Sequence, residues 1–451
     1  MLTSEDRRDV EACSASIAEA ASQFSAKRDA SNLVGLEHWL PYYAGYTESF
    51  ARKLIQAASR DGRKLRVLDP WNGSGTTTTA AMELGHVSFG CDINPVATLT
   101  AAAKLANAQD ALHLQRLLQH LSTATCSHRI SVSDPLTAWM PMPAVRKFRA
   151  IQEAILAEMS TSASGVVLSP SRSAIPPLAS FLLLALVRAG RSVAAFKSGT
   201  NPTWSRSAGI LRPYRAGRLE REWASQVRAM AQDLYEASLR AAPGGSATIE
   251  LANSKRLPLQ DGSVDFVLSS PPYCTRIDYA KSTSFELAAL GFAEEEPDYR
   301  NLRLDAMGTP LSRPPGESEN DRSHSEEVLA LLASIKQHPS KASSTYYYRT
   351  YAQYFTDCHD SLSEIMRVLK PGAVAALIVQ SSYYKEVYVD LPQLFVAEAN
   401  TVGFVSRIAG VTKVSRAFSQ MNPKSSAYMR KKTYEESVVL LQKDMTKGVK
   451  Q

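Results

Sequence analysis

Residues 64–95 read KLRVLDPWNGSGTTTTAAMELGHVSFGCDINP. A short apolar run, Leu65 to Leu68, ends at Asp69, passes through a glycine-bearing turn into a helix-compatible stretch, and is followed by a second strand-like run ending at Asp92. This is the pattern of a β-α-β unit. Gly73 and Gly75 let the backbone turn tightly and approach a ligand closely, and the helix that follows, from about Thr76, aims its unpaired N–H groups at the same spot. No lysine follows Gly75, so a triphosphate-cradling P-loop is disfavoured. Asp92 lies at the end of the second strand, about 20 residues after the turn begins, where an acid hydrogen-bonds ribose hydroxyls of nucleoside cofactors. The pattern points to an adenosine-type cofactor, with Asp69, Gly73, Gly75, Thr76 and Asp92 as candidate contacts.

Working outward, SATIELANSKRLPL after residue 246 predicts a third strand ending at Asn253, a residue able to hydrogen-bond an adenine edge, and VDFVLSS predicts a fourth. Upstream, LEHWLPYYAGYTESFARKLIQAA reads as a loop running into a helix, with Phe50, Leu54 and Ala57 at helical spacing, and a Ser/Ala-rich arm precedes it within residues 1–35. Downstream, 293–345 reads as a long polar loop. A long helix then stops at Lys370-Pro371-Gly372 and leads into a buried strand. Tyr347, Tyr351 and Tyr354 share a helix face, which predicts core packing. Two closing strands, VSRIAGVTKV and ESVVLLQK, have little helix between them and predict an antiparallel edge. Alternating strands and helices, with nearly continuous apolar strands, indicate an α/β protein with a mostly parallel sheet covered on both faces.

The fourth strand runs into Ser270-Pro271-Pro272-Tyr273. At the lip of a strand beside a cofactor crevice, two prolines fix one extended backbone shape. The Ser270 hydroxyl and the Pro271 carbonyl are then placed to accept both hydrogens of an exocyclic amine, leaving the nitrogen lone pair free to be aimed at a methyl donor. Tyr273 supplies a face for stacking a planar base. Orientation in a preorganised polar site is what such a weakly nucleophilic amine needs.

These segments resemble the S-adenosylmethionine-dependent amino-methyltransferases of DNA, the N4-cytosine and N6-adenine group. DPWNGSGTT is similar to that family's cofactor loop, CDIN to its ribose-binding acid, SSPPY to its catalytic tetrapeptide, and EHWLPYYAGYTESFARKLI to its additional cofactor motif. The resemblance implies a Rossmann-like class I methyltransferase fold with a seven-stranded sheet, S-adenosyl-L-methionine as cofactor with Tyr42 or Tyr43 near its methionine end, and double-stranded DNA as partner. It further implies a cognate restriction nuclease or defence-system partner. The Ser-Pro-Pro-Tyr form favours cytosine N4 over adenine N6. The resemblance covers 36–105, 247–292 and 346–443. Trp71 stands where the family usually has Phe, and the large insertion precedes Asn253 instead of separating it from the catalytic motif.

That insertion, 126–245, splits the catalytic region into 36–125 and 246–451 and carries 15 Lys+Arg against 7 Asp+Glu, more than the whole chain's net charge of +7. Its FKSGTNPTWSRSAGILRPYRAGRLEREW interleaves Arg with Trp204, Tyr214 and Trp223, a composition suited to phosphate contact and stacking, so it is the candidate target-recognition region. Five scattered cysteines without a CxxC pair or a His cluster at zinc-like spacing predict no metal site. No cysteine follows a proline, which excludes the Pro-Cys nucleophile of cytosine-C5 methyltransferases. The longest apolar run, Leu178 to Val187, is too short to cross a bilayer, and no leader opens the chain; a cytoplasmic location is expected. Two rivals are weighed: an RNA guanine-N2 methyltransferase, for whose usual N-terminal module about 35 residues are too few, and a nucleic-acid-binding protein on a degenerate methyltransferase scaffold.

Overall fold

The computed structural model describes residues 4–23, 35–40, 45–59, 62–112, 114–126, 129–159, 175–197, 204–274, 277–313, 324–414 and 433–445. Its strands are β1 (Arg66–Asp69), β2 (Val87–Asp92), β3 (Ser246–Leu251), β4 (Val264–Ser269), β5 (Leu369–Gln380), a small hairpin of β6 (Ser382–Tyr384) and β7 (Val387–Val389), then β8 (Phe404–Val414) and β9 (Tyr434–Lys443). Seven of them form one sheet in the order β3-β2-β1-β4-β5-β9-β8. The first five run parallel, and β9 runs antiparallel to both β5 and β8. This is the expected Rossmann-like, mostly parallel seven-stranded sheet, its antiparallel strand β9 lying one position in from the edge instead of at it. Strand order reverses between β1 and β4, so both carboxyl ends open on one crevice.

Each central strand sends alternate side chains to opposite faces. Val67, Phe266, Leu268 and Leu440 join one core with α1 (Ser4–Gln23), α2 (Glu48–Ala58) and α3 (Thr76–Glu83). Leu68, Val267, Val439 and Leu441 join the other, against helices 348–368 and 391–402. Of the residues expected as an arm, helix Ser4–Gln23 belongs to the sheet cover: Ile17 and Ala21 are buried, and Arg407 on β8 donates to the Ser14 carbonyl at 3.1 Å. A Ser/Ala-rich composition hides this helix because small residues lie close against a strand without an apolar stripe.

The insertion packs without a core of its own. Helices Met142–Met159, Pro177–Val193 and Arg218–Ser238 share one core with α4 (Pro95–Ala103) and with Phe285, Leu287 and Tyr299. Arg149 ties it in, its guanidinium donating to Asp134 at 2.8 and 2.9 Å and to the carbonyls of Ala288 and Ala289. The 293–345 stretch, expected as a loop, carries helices Pro297–Asp305 and Glu326–Gln337. The first is polar, but the second carries Val328, Leu332 and Ile335 at helical spacing and buries them, and Ser325 caps it by accepting the Val328 N–H at 3.3 Å. Tyr351 and Tyr354 are buried in the core as expected. No helix among the described residues is long and apolar enough to cross a membrane.

Candidate functional site

A cleft enclosing about 1000 Å³ of empty space, part of it open to solvent, lies over the carboxyl ends of β1, β2, β3 and β4. Its lining includes Asp69, Gly73, Thr76, Asp92 and Asn253 and, past the end of β4, Ser270, Pro272 and Tyr279. Residues from four separate strand ends, those of β1, β2, β3 and β4, therefore meet in one space.

The turn is built from beneath by Asp69. Its buried carboxylate accepts the Thr77 hydroxyl at 2.6 Å, the Trp71 N–H at 3.2 Å and the Ser269 hydroxyl. Burial pushes its pKa up to about 6, against the opposing effect of those donors. Gly75, with φ +86°, sits at the entrance to α3, and a Cβ there would lie 2.9 Å from the Ala101 Cβ. The turn therefore closes against α4, and only glycine fits. Asp92 accepts the Gly73 N–H at 2.9 Å and the Asn94 N–H at 2.8 Å. Burial raises it also to about 6. Asn253 accepts the Lys255 N–H at 3.0 Å through its side-chain oxygen, which orients the amide where it lines the cleft. Gly75 supports the turn from outside the lining, and Tyr42 and Tyr43 lie outside the described residues.

Past the end of β4, Ser270 donates its proton to the Ile378 carbonyl at 3.1 Å. What it has left to offer is lone pairs, the property an amine-gripping hydroxyl needs. The Pro272 carbonyl accepts the Tyr354 hydroxyl at 3.0 Å, while that of Pro271 takes no hydrogen bond among the described residues. Tyr273 does not line the cleft. It is 9% exposed, its phenol lies near Ser270, Glu436 and Tyr279, and burial raises its pKa far above the ordinary tyrosine value. The ring thus sits behind Ser270 instead of offering a stacking face. Spacing alone does not show on which side of Ser270 the ring falls.

Sequence reasoning missed Tyr279, Trp71 and the segment Leu302, Asp305, Ala306 and Met307, all of which line the cleft. The first is six residues past the motif, and the last four come from the stretch expected as a loop. Trp71 Nε1 and Asn72 Nδ2 are buried without a hydrogen-bond partner among the described residues. Buried donors of this kind call for an acceptor from a ligand. In the insertion, Trp223 is fully buried and donates to the Leu182 carbonyl at 3.1 Å, so it is core and not a stacking surface. Arg206 covers the Trp204 ring at 4.5 Å, while Arg206, Arg212 and Arg215 are themselves exposed.

Residues 26–103 match the model of an N6/N4 DNA methylase family, a match that spans the cofactor turn and stops short of Ser270. The chain is 22% identical over 417 residues to the Type II methyltransferase M.BsoBI of Geobacillus stearothermophilus, covering 82% of this chain and 78% of that one. Among solved structures it is similar to the rRNA methyltransferase aviRa from Streptomyces viridochromogenes, with 11% identity, a TM-score of 0.31, and 94% and 96% of the two chains covered.

Proposed function

We propose that the chain transfers a methyl group from S-adenosyl-L-methionine to the exocyclic amine of a base flipped out of double-stranded DNA, with cytosine N4 as the acceptor. One observation carries this reading: Gly73, Asp92 and Asn253 share a single cleft with Ser270 and Pro272. The likenesses to N6/N4 DNA methylases and to a Type II methyltransferase support it.

The lining fits the cofactor. Asp92 presents a carboxylate for ribose hydroxyls, Asn253 an amide for the adenine edge, and Trp71 and Asn72 bring unsatisfied N–H donors for its polar groups. When bound, the cofactor supplies an electrophilic methyl on a positively charged sulfur. The chain's own part is positioning. Ser270, its proton committed to Ile378, accepts one amine hydrogen, and the Pro271 carbonyl, which takes no hydrogen bond among the described residues although Pro271 itself is not part of the cleft's lining, accepts the other. Both acceptors favour positive charge building on the nitrogen as the bond forms, and the proton then leaves to water. Tyr273, behind Ser270, acts as a positioning residue, and Tyr279 and Trp71 are the aromatic side chains that meet the entering base or cofactor.

Incubation with methyl-labelled cofactor and mixed-sequence duplex DNA, or RNA in parallel, followed by nucleoside mass analysis tests the proposal. Labelled N4-methylcytosine in DNA supports it. N6-methyladenine would keep the site and change the base; label only in RNA guanine, or none, would overturn it.

A further inference from the structure

Away from the cleft, three helical segments bring His324, His359 and Glu398 together, with one donor atom from each within 4.8 Å of the others. Glu398 lies on helix 391–402 and is fully buried. His359 comes from helix 348–368, and His324 stands just before the cap Ser325 of helix 326–337. Nothing in the methyl-transfer reading uses them.

A buried carboxylate must be compensated, ordinarily by Lys or Arg. Around Glu398 the described residues offer instead two imidazoles and a backbone N–H. Nδ1 of His324 and Nδ1 of His359 each lie 2.8 Å from the same oxygen, Oε1, while Oε2 accepts the Ser325 N–H at 3.1 Å. The rings stand at 87° with centroids 6.0 Å apart, so their nitrogens arrive from different directions at one focus. Two imidazole nitrogens gathered on one carboxylate oxygen, with the second oxygen held by a backbone donor, is the donor set of a transition-metal site with outer support for its carboxylate in place.

We propose that His324, His359 and Glu398 bind one divalent zinc ion that fastens helices 326–337, 348–368 and 391–402 to one another. Zinc takes imidazole nitrogen and carboxylate oxygen at about 2.0–2.1 Å in a tetrahedron, which sets donor atoms about 3.3 Å apart. The observed 2.8 Å pairs need to open by only about 0.5 Å to admit it. Each imidazole then presents the Nδ1 lone pair and carries its proton on Nε2. With His324 and His359 side chains 11% and 21% exposed, a water completes the fourth position.

The site is tested on the full-length chain, stripped with chelator and desalted, by calorimetric titration with ZnCl₂ and by the visible spectrum on adding Co²⁺. One zinc per chain, a Tm raised by about 3 °C or more at a hundredfold excess over Kd, and cobalt bands of a nitrogen-oxygen site are expected. His359→Gln and Glu398→Gln should each weaken binding at least tenfold, while His120→Gln, at an exposed position, leaves it unchanged. Failure of the wild-type chain to take up zinc at micromolar concentration overturns the proposal, whatever the variants do. So does binding that survives both His359→Gln and Glu398→Gln.

Discussion

The carboxylate of Asp92, at the end of β2, accepts the backbone N–H of Gly73 at 2.9 Å, locking the end of β2 to the glycine turn. One group therefore both shapes the pocket and lines it. Burial has raised Asp92 to about 6, so it is ionised at neutral pH and becomes neutral just below. Cofactor affinity should be flat above about pH 7 and fall as pH drops through 6. Asp92→Asn should weaken binding by roughly 10–100-fold at pH 7.5, an estimate based on one charge-assisted hydrogen bond. Calorimetry across pH 5–8 reads both; a pH-flat wild type would remove Asp92 from the site.

Asp69 makes a separate prediction about the ligand-free protein. Its folded pKa of about 6 lies above the ordinary aspartate value, so the folded state holds a proton that the unfolded chain releases first. Its contribution to stability is therefore present below about pH 4 and is lost as pH rises to 6. In Asp69→Asn that slope should flatten, visible as a smaller fall in Tm between pH 4 and 6 than the wild type shows.

Gly90 on β2 is packed against Asn72, and a Cβ built there would collide with the Asn72 side-chain amide. Asn72 lines the cleft and accepts the Thr78 hydroxyl at 3.1 Å. Gly90→Ala should cost about 1–3 kcal/mol of stability, by overpacking, and also weaken cofactor binding. Denaturant unfolding and calorimetry on one preparation check it. Unchanged values for both would show that Asn72 has room the packing denies.

The glycine turn, Asp92, Asn253 and the β4–Ser270 junction were legible in the sequence because each is a short-range pattern: a strand end, a turn residue, an acid or amide at its lip. Their meeting in one cleft follows from sheet order, which the alternation of elements already implied. Tyr273 was misplaced because a stacking face and a buried ring have the same spacing from Ser270. The segment 302–307 and Tyr279 reach the cleft only through tertiary closure, and no local periodicity marks them. Trp223 looked like part of a binding surface by composition, yet its burial against Leu182, 41 residues away in the chain, is decided by how two helices pack. His324, His359 and Glu398 are too widely spaced to resemble any linear metal motif.

The exposed Arg206, Arg212 and Arg215 give the insertion its testable part in DNA binding. Because its helices share a core with α4, point changes are the right probe. Replacing all three with Ala should weaken duplex binding and reduce the slope of log K against log salt by up to about 0.9 for each phosphate left without its cation. An unaltered slope would place the DNA elsewhere.

The most direct test of the cleft's division of labour is a paired measurement on Ser270→Ala: cofactor Kd by calorimetry and single-turnover methyl transfer to duplex DNA. If Ser270 holds the acceptor amine as proposed, losing its hydroxyl should slow transfer by about 100-fold or more while leaving Kd within about twofold. Equal losses in both, or a transfer rate that does not change, would contradict the account.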